Sequence, residues 1–341
     1  MSNRTLIILF FSVLIFSCNQ SKPKTEPERA VAELKDTSDY SKKLAALSQQ
    51  IPADPLNAAL LNKRAKLYLE NRDIGGAMSD MQKVLTIDTI TAEYFVTVAD
   101  VHFAAGKSGK SKAALEKSLS LDPKNKDANM KLAELYYYVQ KYDKSISYLN
   151  NVLKDDINNP KAYFMKGMNF KEMGDTTKSI SSFQTAIEQD QNYYEAFQQL
   201  GIIFTMKNKP LALDYFNGAI KLDPRSEEAL YGRAMWYQEH VHDYDKAIQD
   251  YTNIIQINSK NKNAHFNLGF VHAQYLKVYR EAIKHYTIAI SVDPNYVEAY
   301  YNRGECLETL GDIGNAKADY EKALQIAPDY QPAKDGIARV K

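Results

Sequence analysis

The stretch Gly106-Lys107-Ser108-Gly109-Lys110-Ser111 ends in Gly-Lys-Ser, the triplet with which a phosphate-binding loop meets the phosphates of a nucleotide. Such a loop also needs a glycine five residues before Gly109, a strand leading in and a helix N-terminus leading out. Residue 104 is alanine and the stretch follows a helical pattern, so a solvated turn is expected instead. His265 and His272 stand seven apart on one helical face, with His240 and His242 upstream, but no pair has the His-Glu-x-x-His spacing of a zinc helix. They read as packed side chains, and no metal is expected. Cys306 has no neighbouring base or cation to activate it and reads as a small buried hydrophobe. No nucleophile and base form a pair, so neither catalysis nor a cofactor is expected. Lys and Arg number 43 against 42 Asp and Glu, a net charge of +1 that disfavours nucleic acid as a partner.

The N-terminus carries a different kind of chemistry. Leu6 to Phe16 is apolar except for Ser12, too short for the ~20 residues of a membrane-spanning helix, and Arg4 precedes it. This pattern suits a secretory signal peptide. Ile15-Phe16-Ser17-Cys18 resembles a bacterial lipobox, although Phe16 is bulkier than the residue usual at its place. The resemblance implies a signal peptide over 1–17, lipid attached to Cys18, and a membrane-anchored, exported protein. Residues 18–37, rich in Pro, Lys and Glu, read as a tether. They hold no acidic cluster directly after Cys18, which favours the periplasmic face of an outer membrane over the cell surface. With only Cys18 and Cys306 available, no disulfide framework is expected.

What must position any functional side chain in the remainder is a repeat. Small residues recur at Ala65, Ala99, Ala133, Gly167, Gly201, Ala234, Gly269 and Gly304, in steps of 33 to 35 residues. A second small series, from Ala77 to Ala316, follows about twelve residues behind. Bulky residues stand four further on, at Met81, Leu115, Leu149, Phe183, Phe216, Tyr251, Tyr286 and Tyr320. Small positions allow two helices to approach, and the bulky one fills the groove beside the contact. Segments such as "LDPKNKDA" and "VDPNYVEA" stop one helix and start the next. "GDTTKS" and "GDIGNA" mark the turn inside a unit.

This pattern closely resembles the tetratricopeptide repeat, with small residues at positions 8, 20 and 27, bulky ones at 4, 11 and 24, and Pro at 32. The resemblance implies an all-α, right-handed α-solenoid superhelix of about eight helix-turn-helix repeats over 58–329. A half-repeat at 38–57 and a capping helix at 330–341 would close its ends. Pro is replaced at position 32 by Thr89, Ile157, Gln191 and Ser259, and repeats six and seven each insert one residue near the inner turn.

In that family the first helices line a groove that meets a ligand peptide through positions 2, 5, 6, 9, 12 and 13. The matching residues form a candidate groove: Phe164, Met168, Gln199, Ile202, Tyr231, Met235, Phe266, Asn267, Phe270, Tyr301 and Asn302. Its apolar and aromatic members suit a protein or peptide partner, and the amides suit an extended backbone. The expected function is a non-catalytic, lipid-anchored interaction scaffold of the cell envelope. A carbohydrate-binding outer-membrane lipoprotein is the alternative.

Overall fold

The computed structural model describes residues 39–340, so the signal peptide, Cys18 and the tether lie outside the described residues. The described residues are helical throughout, with no strand among them. α1 covers 39–50 and is followed by a short 3-10 turn at Ile51–Ala53. Eight helix pairs follow: α2 (Ala58–Glu70) with α3 (Ile74–Ile87), α4 (Ala92–Ala104) with α5 (Ser108–Leu121), α6 (Lys126–Tyr138) with α7 (Tyr142–Asp155), and α8 (Pro160–Glu172) with α9 (Thr176–Gln189). The remaining pairs are α10 (Tyr194–Met206) with α11 (Leu211–Leu222), α12 (Glu227–Trp236) with α13 (Tyr244–Ile257), α14 (Lys262–Phe270) with α15 (Tyr279–Val292), and α16 (Val297–Thr309) with α17 (Ile313–Ile326). α18 (Gln331–Arg339) closes this α-solenoid array. The chain divides within α6 into two compact units, one ending at Leu132 and the other starting at Ala133, each built from the same kind of helix pair.

The turns are written in short polar side chains. Asn57, Asn159, Ser226 and Asn261 cap first helices by accepting from the backbone N–H three residues on, at 2.9–3.0 Å. Asp73, Asp175, Asp243 and Asp312 do the same for second helices. The side chain before position 32 holds the turn between repeats whether or not Pro follows, as Asp122, Asp223 and Asp293 do before Pro. Asp88, Asp190 and Asn258 accept from the N–H of Ile90, Asn192 and Lys260, at 2.8, 2.9 and 3.1 Å. The Gly-Lys-Ser stretch runs from the turn between α4 and α5 into the first turn of α5: Gly106 has φ 72°, and all but Ser111 are exposed.

Packing follows the expected small and bulky series, with one refinement. Position 8 is Ala in the first three repeats, opposite Met81, Leu115 or Leu149, and becomes Gly where position 24 is an aromatic ring, except in repeat six. A Cβ on Gly167 would stand 2.5 Å from the Phe183 ring. A further small position was not apparent in the letters: Ala128, Ala162, Ala196, Ala229, Ala264, Ala299 and Ala333, third in their repeats, are all fully buried. In α18, Ala333 and Gly336 are buried while Ala338, at position 8, is exposed. Position 8 packs against its own repeat's second helix, and no second helix is described after α18.

The inserted residues of repeats six and seven widen the last turn of their first helices. Tyr237–Val241 and Val271–Tyr275 are π-helical, and each is followed by a positive-φ residue, His242 at 59° and Lys277 at 58°. The second helices then start as in the other repeats. The single Trp236 leads into the first of these turns and is buried against Ala212 and Phe216.

Candidate binding face on the first helices

Direct contacts between like helices of successive repeats fall on the first helices, as between α10 and α12 and between α16 and α18. The first helices of neighbouring repeats therefore stand side by side and form a continuous face within the second unit. Position 5 contributes a ring in four of repeats four to eight, and each ring has a floor. Phe164 lies 5.4 Å from Phe183 and 5.2 Å from Tyr193, centroid to centroid. Phe266 lies 5.6 Å from Tyr286 and 5.0 Å from Tyr296; Tyr301 lies 5.8 Å from both Tyr320 and Tyr330. Tyr231 meets Tyr251 edge-on at 5.9 Å. These rings are half-buried wedges between a repeat's two helices and the residue that opens the next repeat. Tyr193, Tyr296 and Tyr330, which complete three of those wedges, were not among the expected residues.

Position 9 lies beside these rings in the same half-buried state. Met168, Ile202, Met235 and Phe270 are half-buried, and Phe270 meets Tyr275 edge-on at 5.9 Å. Position 6 differs from expectation, because its amides are already engaged. Asn267 is 8% exposed and donates to the Tyr231 hydroxyl at 2.9 Å. Asn302 donates to the Glu298 carbonyl at 2.8 Å, and Gln199 accepts from Lys171 at 2.8 Å. Gly232, which interrupts the amide series, has a packing reason: a Cβ there would stand 2.5 Å from the Phe216 ring of the preceding repeat.

Beneath this face the polar groups differ from repeat to repeat. Arg233 in α12 grips Asp250 in α13 with two hydrogen bonds of 2.8 and 2.7 Å, and reaches back to Asn217 of the preceding repeat at 2.7 Å. Arg303 binds Asp319 and Thr287 in the same way, and Arg64 binds Asp80 and Ser48. The paired aspartate holds each guanidinium above its ordinary pKa, against the opposing effect of burial. The position-24 hydroxyl also has a regular acceptor. Tyr251 lies 3.1 Å from Gln238 Oε1, and Tyr320 donates to Glu308 at 2.5 Å. In repeat seven the corresponding residue is Ala273, and the buried Tyr286 hydroxyl has no hydrogen-bond partner.

Repeat seven instead packs imidazoles. His265 is buried, with Nε2 3.1 Å from the Ser259 carbonyl and Nδ1 3.2 Å from Nδ1 of His285. The carbonyl can only accept, so His265 Nε2 carries hydrogen and His285 donates between the two Nδ1 atoms. The His272 ring lies parallel to His285 at 5.7 Å. Burial, then the fields of His265 and His272, push His285 down to about 4. His265 and His272 do pack, as the sequence implies, but His285, the residue that joins them, lies on the other helix. Among the described residues no group of three or more His, Cys, Asp or Glu has the geometry to hold a metal ion. Cys306 is 2% exposed, and burial, with Glu305 adding, pushes its thiol up to about 12, so it is an inert packed side chain.

Sequence models of the tetratricopeptide repeat match residues 297–330, 160–193 and 99–160, and one of the TPR repeat matches 277–311. No curated protein sequence matches the chain. Among solved structures, a tetratricopeptide repeat protein from Parabacteroides merdae aligns with a TM-score of 0.50 at 14% identity, over 73% of this chain and 98% of its own. A MamA protein aligns with a TM-score of 0.45 at 23% identity, over 53% of this chain and 94% of its own. The Parabacteroides likeness is one of fold.

Proposed function

We propose that this tetratricopeptide repeat protein is a scaffold that holds a segment of a partner protein along the first-helix face of repeats four to eight. Repeats of this family are protein-interaction modules, generally without catalytic activity. The observation that carries the finer reading is the row Met168, Ile202, Met235 and Phe270. These apolar side chains keep exposed area on first helices that stand side by side, where a ligand segment can cover them. The half-buried position-5 rings beside them shape that face. We propose further that the scaffold works in the cell envelope through lipid on Cys18. The N-terminal sequence pattern, an apolar run ending in Ile15-Phe16-Ser17-Cys18, supports this.

The test is crosslinking in the native envelope followed by mass spectrometry, with wild type beside an Ile202→Asn, Met235→Asn, Phe270→Asn variant. The variant should retain its helical circular dichroism and lose the wild-type crosslinks. Unchanged crosslinks would remove the groove assignment. Palmitate labelling of wild type and not of Cys18→Ser would support the anchor, and equal labelling would remove it.

A further inference from the structure

The first helices of repeats five to eight carry a set of carboxylates that the fold does not use. Glu195, Glu228 and Glu298 are exposed, each at the second position of its helix, and among the described residues none forms an ion pair. The helix dipole favours an acid at that position, which explains the residue type but not its lack of a partner. Of the equivalent residues in earlier repeats, Glu93 is paired with Lys66 at 2.6 Å and repeat four has Lys161, paired with Glu134, while Asp127 of repeat three is exposed and unpaired like the three glutamates. The cations of α12, α14 and α16 are already committed, Arg233 to Asp250, Lys262 to Asp293 and Arg303 to Asp319. α10 has no cation of its own.

Each of these carboxylates lies within electrostatic reach of tyrosine rings. Glu195 acts on Tyr193 and Tyr194, Glu228 on Tyr194, and Glu298 on Tyr296 and Tyr330, adding in each case to the upward push of burial on the phenol. A carboxylate beside a tyrosine ring is what this chain uses to hold its own cations. Lys262 pairs with Asp293 and lies 5.2 Å over the Tyr296 ring. Arg339 pairs with Glu308 at 3.0 Å and lies 5.9 Å over the Tyr320 ring. Lys246 pairs with Asp243 and lies 5.3 Å over Tyr237. Ion pairing and the ring quadrupole act together in such an arrangement.

We propose, on the basis of the groove reading above, that the partner segment held on repeats five to eight is cationic. Its Lys or Arg side chains seat on Glu195, Glu228 and Glu298 beside the tyrosines, and its apolar residues cover Ile202, Met235 and Phe270. Glu195 and Glu228 stand one repeat apart and Glu298 two repeats further on, with Asn263 at the intervening place, and Glu195 and Glu228 lie on the same helices as Ile202 and Met235.

Fluorescence anisotropy with the full chain in detergent tests this, using a labelled peptide of four Lys-Phe-Gly units and its Glu-Phe-Gly counterpart. The lysine peptide should bind, the glutamate peptide should not, and affinity should fall with salt. A Glu195→Gln, Glu228→Gln, Glu298→Gln variant should weaken the lysine peptide about tenfold and flatten the salt dependence. Glu188→Gln, Asp245→Asn, Glu321→Gln, on second helices, should leave both unchanged. No binding of the lysine peptide, equal binding of the glutamate peptide, or full affinity in the first variant would overturn the proposal. Native crosslinks separate this from the groove itself. If Ile202→Asn, Met235→Asn, Phe270→Asn abolishes them and the glutamine variant keeps them, the groove stands and the cationic partner falls.

Discussion

In repeats six and eight an arginine of the first helix grips an aspartate of the second, and a tyrosine hydroxyl finds an acceptor twelve or thirteen residues before it. Repeat seven lies between them with Leu268 opposite His285 and Ala273 opposite Tyr286. All three share a fully buried position-24 tyrosine and a small residue facing it. The small and bulky pattern is therefore enough to build the pair, and the polar clasp is an addition that differs between neighbours. What the difference changes is the condition under which each repeat holds. The clasps of six and eight are fixed charges, whereas repeat seven relies on neutral imidazoles.

The comparison breaks most sharply if a clasp is cut on one side. Arg233→Ala strands Asp250, which is 3% exposed, and should destabilise repeat six by about 3 kcal/mol, read as faster amide hydrogen exchange in α12 and α13. Acid should act on repeat seven next. His285 titrates at about 4 in the fold, below the ordinary imidazole value near 6.5. The unfolded chain therefore binds the proton more readily, so stability is complete above about pH 6.5 and is lost as pH falls toward 4. Allowing for solvent screening of a partly exposed ring, the loss should be about 1–2 kcal/mol. It should appear in exchange of α14 and α15 between pH 7.5 and 5, and should shrink in His285→Leu to the share of His272, whose pKa burial also lowers. The double change Arg233→Leu with Asp250→Leu removes both charges of the clasp and should cost under about 1 kcal/mol, far less than the single cut. Smallest of all, Tyr251→Phe should cost about 1 kcal/mol, and Tyr286→Phe close to nothing because its hydroxyl has no bond to lose. Equal melting shifts for the two would contradict the orphan hydroxyl.

The fold was legible because it rests on residue size at a fixed period, and size is visible in each letter. The candidate site was legible only in outline. That Phe164 and Phe266 belong to the first-helix face follows from position, but their burial depends on Tyr193 and Tyr296, which arrive with the next repeat. Asn267 looks like a free amide until Tyr231, 36 residues earlier in the chain, is brought to it. His285 has no meaning at its own position and acquires it from His265 across the helix pair. The arginine clasps could have been found, since Arg64, Arg233 and Arg303 each precede an aspartate by sixteen or seventeen residues. The open carboxylates are defined by what fails to meet them, and no single letter reports that.

The π-turns of repeats six and seven confine an added residue to the inner end of one helix, and the start of the following helix is unchanged. A length change is thus absorbed inside the unit where it arises and is not passed to its neighbours. In the language of inheritance, a unit can gain a residue singly, while the units on either side keep their packing partners.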